Sequence, residues 1–288
     1  MTAQTRFQTA RGPIELGDRP LIVGVLNVTP DSFSDGGAYL DPGAAADRAF
    51  RMAAEGAAVI DIGGLSTRPG SKPVDLETEA ARLIPVLERL AGRLPTPISI
   101  DTYRAEVFRR ALDHGAAILN DVSALRADPA MAGLAARSGA GVVLMHMAGV
   151  PETMQVEPRY GDVVAEVRDF LAAAVGRAQA AGIGLDRIAV DPGIGFGKTV
   201  DHNLLLLARL EAFAVLGLPL FVGCSRKSFL GKILDRADPS EREYATAATT
   251  ARSYAAGARF VRVHDVRATA DVITLLDRIR TAGTGACS

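Results

Sequence analysis

Cysteine is nearly absent from the chain: there are two, Cys224 at the end of an apolar run and Cys287 close to the C-terminus. Two such thiols make no disulfide framework, which fits a reducing compartment and points to the cytoplasm. An excess of one charge is missing as well. With a formal net charge of −1, the chain offers neither a basic field for nucleic acid nor a polybasic membrane signal, so any anion has to be met by a few placed cations. There is no apolar run of roughly eighteen residues, and residues 1–11 are polar with no hydrophobic signal region, so neither a membrane span nor secretion is expected. No Gly-x-Gly-x-x-Gly follows the first apolar run, which weighs against a dinucleotide-binding open sheet. Low-complexity stretches, linkers and composition breaks are lacking too. These absences leave one globular domain over 1–288, 48% hydrophobic and 23% charged, long enough for a large core and suited to a small-molecule partner.

What the chain does contain is a repeat of short apolar runs that end in polar residues. They cover about 21–26, 58–62, 97–100, 117–119, 141–145, 187–190, 220–222 and 259–263, and their polar ends fall at Asn27, Asp61, Asp101, Asn120, His146, Asp191, Ser225 and Arg262. Strands of this kind, apolar on both faces, belong to a parallel sheet. Helical stretches separate them, near 42–55, 75–91, 104–114, 129–138, 162–181, 203–213, 240–256 and 267–280. The average step of about 34 residues suits one βα unit, and eight such units predict an α/β fold of the (β/α)8 TIM-barrel class. A doubly wound open sheet is the alternative. Residues 6–16, turning at Gly12-Pro13, read as a short N-terminal β-hairpin outside the repeat that plugs one end, with 1–20 as its segment and 282–288 as a C-terminal tail.

If the strands end at one rim, Asn27, Asp61, Asp101, Asn120, Asp191, Lys227, Arg262 and His264 converge on one mouth although they are scattered in sequence. A lone Asp or Asn at a strand end is usually a cap. So many acceptors with three cations on one rim are harder to explain in that way. Carboxylates pair with adjacent N–H donors while Lys227 donates to ring oxygen or nitrogen, which is how a flat amide-like heterocycle is gripped. Arg262 and His264, two apart on one strand, point to the same side and suit phosphate, and Arg262 also offers a plane for stacking. The expected ligand is a heterocycle carrying an anion. In LFVGCSRKSFLG (220–231), the Arg226-Lys227 pair between Ser225 and Ser228 fits such a ligand; the plainer reading is a helix start with Ser225 as N-cap. His114 and His202 read as surface or cap residues, Cys224 as a packed small residue, and His146 as part of the site wall.

Four motifs carry a resemblance to a known family: GVLNVTPDSFSDGG (24–37), IDIGGLSTRPG (60–70), DPGIGFGK (191–198) and SRKSFLG (225–231). With SIDT (99–102), NDVSA (120–124), LMHM (144–147) and RVHDV (262–266) in the same order, the chain resembles the bacterial dihydropteroate synthase family along essentially its whole length. A departure is MAGVPETMQ (147–155), which keeps the Pro and the Met-Gln ending but is less basic than the family pattern. The resemblance implies that 6-hydroxymethyl-7,8-dihydropterin diphosphate is joined to para-aminobenzoate by a Mg²⁺-assisted homodimer. By position it implies that Asp61, Asp101, Asn120, Asp191, Lys227 and Arg262 hold the pterin, with Asp101, Lys227 and Arg262 carrying the chemistry. Asn27, Arg262 and His264 would hold the diphosphate, with Asn27 directed at the metal. Phe33, Thr67, Arg68, Pro69, Phe196 and Ser228 would form the aminobenzoate pocket. Three other readings compete: a pterin-dependent methyltransferase of the corrinoid type, a non-catalytic pterin-binding paralogue, and a phosphate-recognising barrel isomerase.

Overall fold

The computed structural model describes residues 4–29, 41–65, 74–150 and 153–283. It opens on an antiparallel hairpin, β1 (Arg6–Thr9) with β2 (Gly12–Glu15). From there strands and helices alternate: β3 (Leu21–Asn27), α1 (Pro42–Ala54), β4 (Val59–Gly63), α2 (Leu76–Leu90), β5 (Ile98–Asp101), α3 (Ala105–Asp113), β6 (Ala116–Asp121), α4 (Met131–Ser138) and β7 (Gly141–Met145). The second half continues with α5 (Val163–Ala180), β8 (Ile188–Asp191), α6 (Val200–Ala208), β9 (Phe221–Val222), α7 (Ser228–Leu234), α8 (Glu243–Ala255), β10 (Phe260–Val263) and α9 (Val266–Gly283). Local chemistry sets several helix starts. Asp41 accepts from the Gly43 and Ala44 amides ahead of a first-turn Pro42, and Asp75 and Asp162 cap α2 and α5 in the same way. Among the described residues no helix is long and apolar enough to cross a membrane.

Strands β3 to β8 lie side by side in chain order, β10 returns to pair with β3, and β9 pairs with β10. The ring closes between β8 and β9 through the parallel bridge Val190 to Leu220 and a 3.0 Å bond from the Val190 amide to the Pro219 carbonyl. This is the expected (β/α)8 barrel. Its seventh strand is shorter than the apolar run suggests, because Pro219 has no N–H to add to a ladder and gives only its carbonyl. The expected helix over 203–213 is split into α6 and a 3₁₀ turn over Leu210–Leu216.

The core has two shells. Outward-facing Ile22, Ile60, Ile62, Ile98, Ile100, Leu119, Val142 and Leu144 pack under the helices, while Val23, Val59, Ala117, Ile118, Val143, Ala189, Phe221 and Phe260 fill the barrel interior. Phe7 from the hairpin joins the inner group, 5.4 Å from the Phe260 ring, so the hairpin does plug one end. Because strand side chains alternate, a step of two along each strand climbs from this apolar floor to a polar layer: Val59 to Asp61, Ser99 to Asp101, Ile118 to Asn120, Ala189 to Asp191, Phe260 to Arg262. The apolar layer and the site therefore come from one periodicity.

Candidate active site

Arg262 is the knot of the polar layer. Its Nε donates to Asp61 Oδ2 at 2.6 Å and its Nη2 to Asp101 Oδ2 at 2.8 Å, while Asn120 Nδ2 donates to the same Asp61 oxygen at 3.0 Å. Strands β4, β5, β6 and β10 are thereby tied across the lumen. Burial works against the Arg262 charge, but Asp61 and Asp101 together hold its pKa above the usual arginine value. Burial pushes Asp101 up, Arg262 pulls it back, and Asp61 adds to the rise. Asp61 is fully buried, two residues below the end of β4, and is therefore part of the floor; its Oδ1 has no hydrogen-bond partner among the described residues. A buried carboxylate oxygen left without a donor is costly, and a ligand N–H would satisfy it.

The opposite side of the mouth is built by the turns after β8 and β9. Asp191 Oδ1 accepts from the Gly193 amide at 2.7 Å, and burial raises its pKa to about 6. The Lys227 ammonium lies 3.9 Å from the centre of the Phe196 ring, and burial lowers its pKa to about 8, with Arg262 adding to the fall. Arg226 does not face the mouth with its neighbour. At φ 59° it turns back to pair with Glu243 at 3.0 Å, and its amide and carbonyl are held by Thr246 and Arg242 at 3.2 and 3.0 Å. One left-handed residue thus sends the two adjacent cations to different places. Ser225 is not the cap of α7 either: its Oγ lies 2.9 Å from His264 Nδ1 and accepts from the His264 amide at 3.2 Å. Ser228 is exposed at the first turn of α7.

A Cβ added at Gly63 would meet Asp101 Cβ at 3.5 Å, Asn27 Oδ1 at 3.7 Å and Asp101 Oδ2 at 3.8 Å, which places both oxygens beside the end of β4. Phe33, Thr67, Arg68 and Pro69 lie outside the described residues. Of the remaining expected site residues, Asn27, Asp61, Asp101, Asn120, Asp191 and Arg262 lie on β3, β4, β5, β6, β8 and β10, Phe196 and Lys227 on the turns after β8 and β9, His264 just after β10, and Ser228 at the start of α7.

The model of the pterin binding enzyme family matches residues 23–264, from the third residue of β3 to the residue after β10. A dihydropteroate synthase of Synechocystis sp. is 48% identical over 263 residues, 91% of each chain. The chain belongs to the dihydropteroate synthase family. The fold agrees: the Xanthomonas albilineans dihydropteroate synthase with 4-aminobenzoic acid superposes with TM-score 0.90 at 43% identity, covering 97% of this chain and 99% of that one. The Burkholderia cenocepacia dihydropteroate synthase complexed with 7,8-dihydropteroate gives 0.89 at 43%, covering 99% and 100%.

Two buried groups of this dihydropteroate synthase family member escaped the reading from sequence. Glu79 on α2, with no exposed side-chain surface, accepts from Thr102 at 2.6 Å and from Arg104 at 2.7 Å beside Asp101, and burial raises its pKa. Its signal was present, because Glu79 occupies the apolar stripe that continues at Leu83, Val86, Leu87 and Leu90. Lys198 is the other. Its ammonium meets His146 Nδ1 at 2.9 Å, Gly193 O at 2.8 Å and Phe196 O at 2.9 Å. Burial brings its pKa down to about 7 against the pull of Asp191, and burial with Lys198 beside it lowers His146 to about 2. His146 therefore shapes the wall as a neutral ring. The plain readings of the other conspicuous residues hold: His202 closes a capping box with Thr199 at the start of α6, and Cys224 is packed, its thiol raised to about 12 by burial.

Proposed function

We propose that this chain condenses 6-hydroxymethyl-7,8-dihydropterin diphosphate with para-aminobenzoate, giving 7,8-dihydropteroate and diphosphate. The observation that carries this reading is the set of buried acceptors Asp61, Asp101, Asn120 and Asp191 with Lys227 and Arg262 around one lumen, including an Asp61 oxygen that lacks a donor. A pterin edge presents alternating N–H donors and acceptors, which carboxylates and an ammonium complement. The direct test is para-aminobenzoate-dependent diphosphate release by the purified protein; none would overturn the reading.

In the reaction the bond between the pterin methylene carbon and the diphosphate oxygen breaks, and its electron pair leaves with the diphosphate. The aryl amine lone pair forms the new C–N bond, and its proton then passes to solvent. Asp101, held against the ring by Arg262, stabilises positive charge developing on the pterin. Arg262 and His264 receive the leaving anion, with Ser225 fixing the imidazole. The amine is a neutral nucleophile at neutral pH, so no strong base is demanded of the site. Asn27 would hold Mg²⁺ with phosphate oxygens and water as the other ligands, and the cation when bound would neutralise charge on the departing diphosphate. Asn27 Oδ1 and Asp101 Oδ2 both lie beside Gly63, and hard oxygens of this kind are what Mg²⁺ takes as ligands. Phe196 and Ser228, with Phe33, Thr67, Arg68 and Pro69, take the aminobenzoate side.

Lys227→Ala is expected to weaken binding of a pterin about 10- to 100-fold at pH 7, the loss of one hydrogen bond from a charged donor, with little change in melting temperature. The pH profile of binding separates this from a general defect. Wild-type affinity should fall below about pH 6 as Asp191 takes a proton and above about pH 8 as Lys227 loses one; the variant should keep only the acid limb. Calorimetric titration across pH reads both limbs. An alkaline limb that survives the substitution would exclude Lys227 from the ring site.

The protein acts in the cytoplasm as a homodimer. Leu204 and Leu205 on α6 and Ile233 and Leu234 on α7, which packs beside it, are 44–47% exposed and form the apolar side chains that a second copy would cover. Light scattering is expected to give twice the 30.2 kDa chain mass, falling toward one chain in Leu205→Glu; a monomeric wild type would refute the dimer.

A further inference from the structure

The turn over residues 193–197 carries Phe196, yet Gly193, Gly195 and Gly197 all have positive φ and lend it no stiffness of their own. It is held from outside instead. Gly193 O and Phe196 O both accept from Lys198, Gly195 O from Gln155 at 2.9 Å, and Gly197 O from Tyr160 at 2.8 Å. The Gly195 amide donates to Asn203 at 2.7 Å and the Gly193 amide to Asp191. Gly193 is pressed so close to β7 that a Cβ would lie 1.8 Å from the His146 carbonyl. Among these partners Lys198 alone reaches two carbonyls of the turn and a third group, His146 just after β7, and its side chain is almost fully buried.

Resting on the synthase reading above, we infer that Lys198 is a positioning residue: its buried ammonium, spanning Gly193, Phe196 and His146, sets the turn that aims Phe196 at the mouth and presents the Gly193 amide to Asp191. Three points support this. All three hydrogen-bond partners of the ammonium are neutral acceptors, so its direct contacts hold the turn in shape, while Asp191 feels its charge without touching it. The Phe196 ring in turn packs under the Lys227 ammonium, so a shift of the turn changes both the aromatic wall and the cation beside it. With the imidazole neutral and Nδ1 accepting from Lys198, the ring proton of His146 sits on Nε2, and His146 becomes a reporter of the contact. The segment after β7 completes the brace through Gln155 and Tyr160, which gives the atypical 147–155 stretch a part in the site.

The test is Lys198→Met, which keeps most of the side chain's apolar stem and removes every donor. The KM for para-aminobenzoate is expected to rise about 10- to 100-fold, the cost of misplacing a binding group by an ångström or so, with a smaller change in kcat. Phe196→Ala should raise the same KM, and the double variant should be no worse than Phe196→Ala alone, since Lys198 acts through that ring. In ¹⁵N spectra the wild-type His146 should show one neutral tautomer, and in Lys198→Met its pKa should move upward. If Lys198→Met fails to fold, Gln155→Ala, an exposed substitution that frees only Gly195 O, decides: its KM for para-aminobenzoate should rise several-fold with an unchanged melting temperature. An additive double variant, or an unchanged KM in the folded variant, overturns the inference. A wild-type protein without synthase activity but with the His146 signature would instead overturn the functional reading and leave the brace standing.

Discussion

Arg262→Met should destabilise the fold by about 3–5 kcal/mol at neutral pH and abolish the synthase reaction, because it leaves two buried carboxylates without their shared partner. Asp61 has no exposed side-chain surface, Asp101 has 11%, and the guanidinium that serves both is itself only 19% exposed. No water replaces it cheaply. The pH dependence gives the mechanism away. Without Arg262, burial and the neighbouring Asp61 raise the folded pKa of Asp101 further above its unfolded value. An acid so shifted contributes stability below its unfolded pKa and loses it as pH rises through the folded pKa. The gap between variant and wild type should therefore be widest near pH 8 and shrink toward pH 5. Urea midpoints at the two pH values measure it, and a gap that is the same at both would mean that Arg262 stabilises the barrel by packing and not by pairing.

The barrel was legible because its period is set by backbone geometry: alternate residues face inward, so the apolar floor and the polar rim could be read from one strand at a time. Contacts between strands were not. Arg262 reads in isolation as a phosphate ligand or a stacking plane, and only the register of β10 against β3 and of β4 against β5 brings it to Asp61 and Asp101. A similar gap explains Arg226 and Lys227, where the sequence shows two adjacent cations and the positive φ of Arg226 separates them. Lys198 was visible as the last letter of a glycine-rich motif, but nothing in a linear pattern says that its three acceptors come from both the residue after β7 and its own turn. The roles of Phe33, Thr67, Arg68 and Pro69 rest on motif resemblance, and those residues lie outside the described structure.

Asp101→Asn is expected to lower the rate of the chemical step by about 2–4 kcal/mol, roughly 30- to 900-fold, if it removes one preorganised charge from the transition state. The amide keeps the shape and can still accept from Arg262, so the pterin should bind with a much smaller loss. Such a split, kcat falling far more than affinity, marks an interaction made chiefly as charge develops. The structure also motivates an order of events. On the proposed roles, Arg262 and His264 offer cations for a departing diphosphate while the incoming amine needs no base, so ionisation of the pterin is expected first. The wild-type enzyme with Mg²⁺ should then release diphosphate slowly from the pterin substrate alone, water trapping the cation. Oxygen-18 should scramble between the bridging and non-bridging positions of recovered substrate. Asp101→Asn should depress this partial reaction and the full reaction by the same factor, because both pass through one cation. Active wild-type enzyme that shows neither release nor scrambling would point to a concerted displacement, in which Asp101 would matter less than the alignment of the amine.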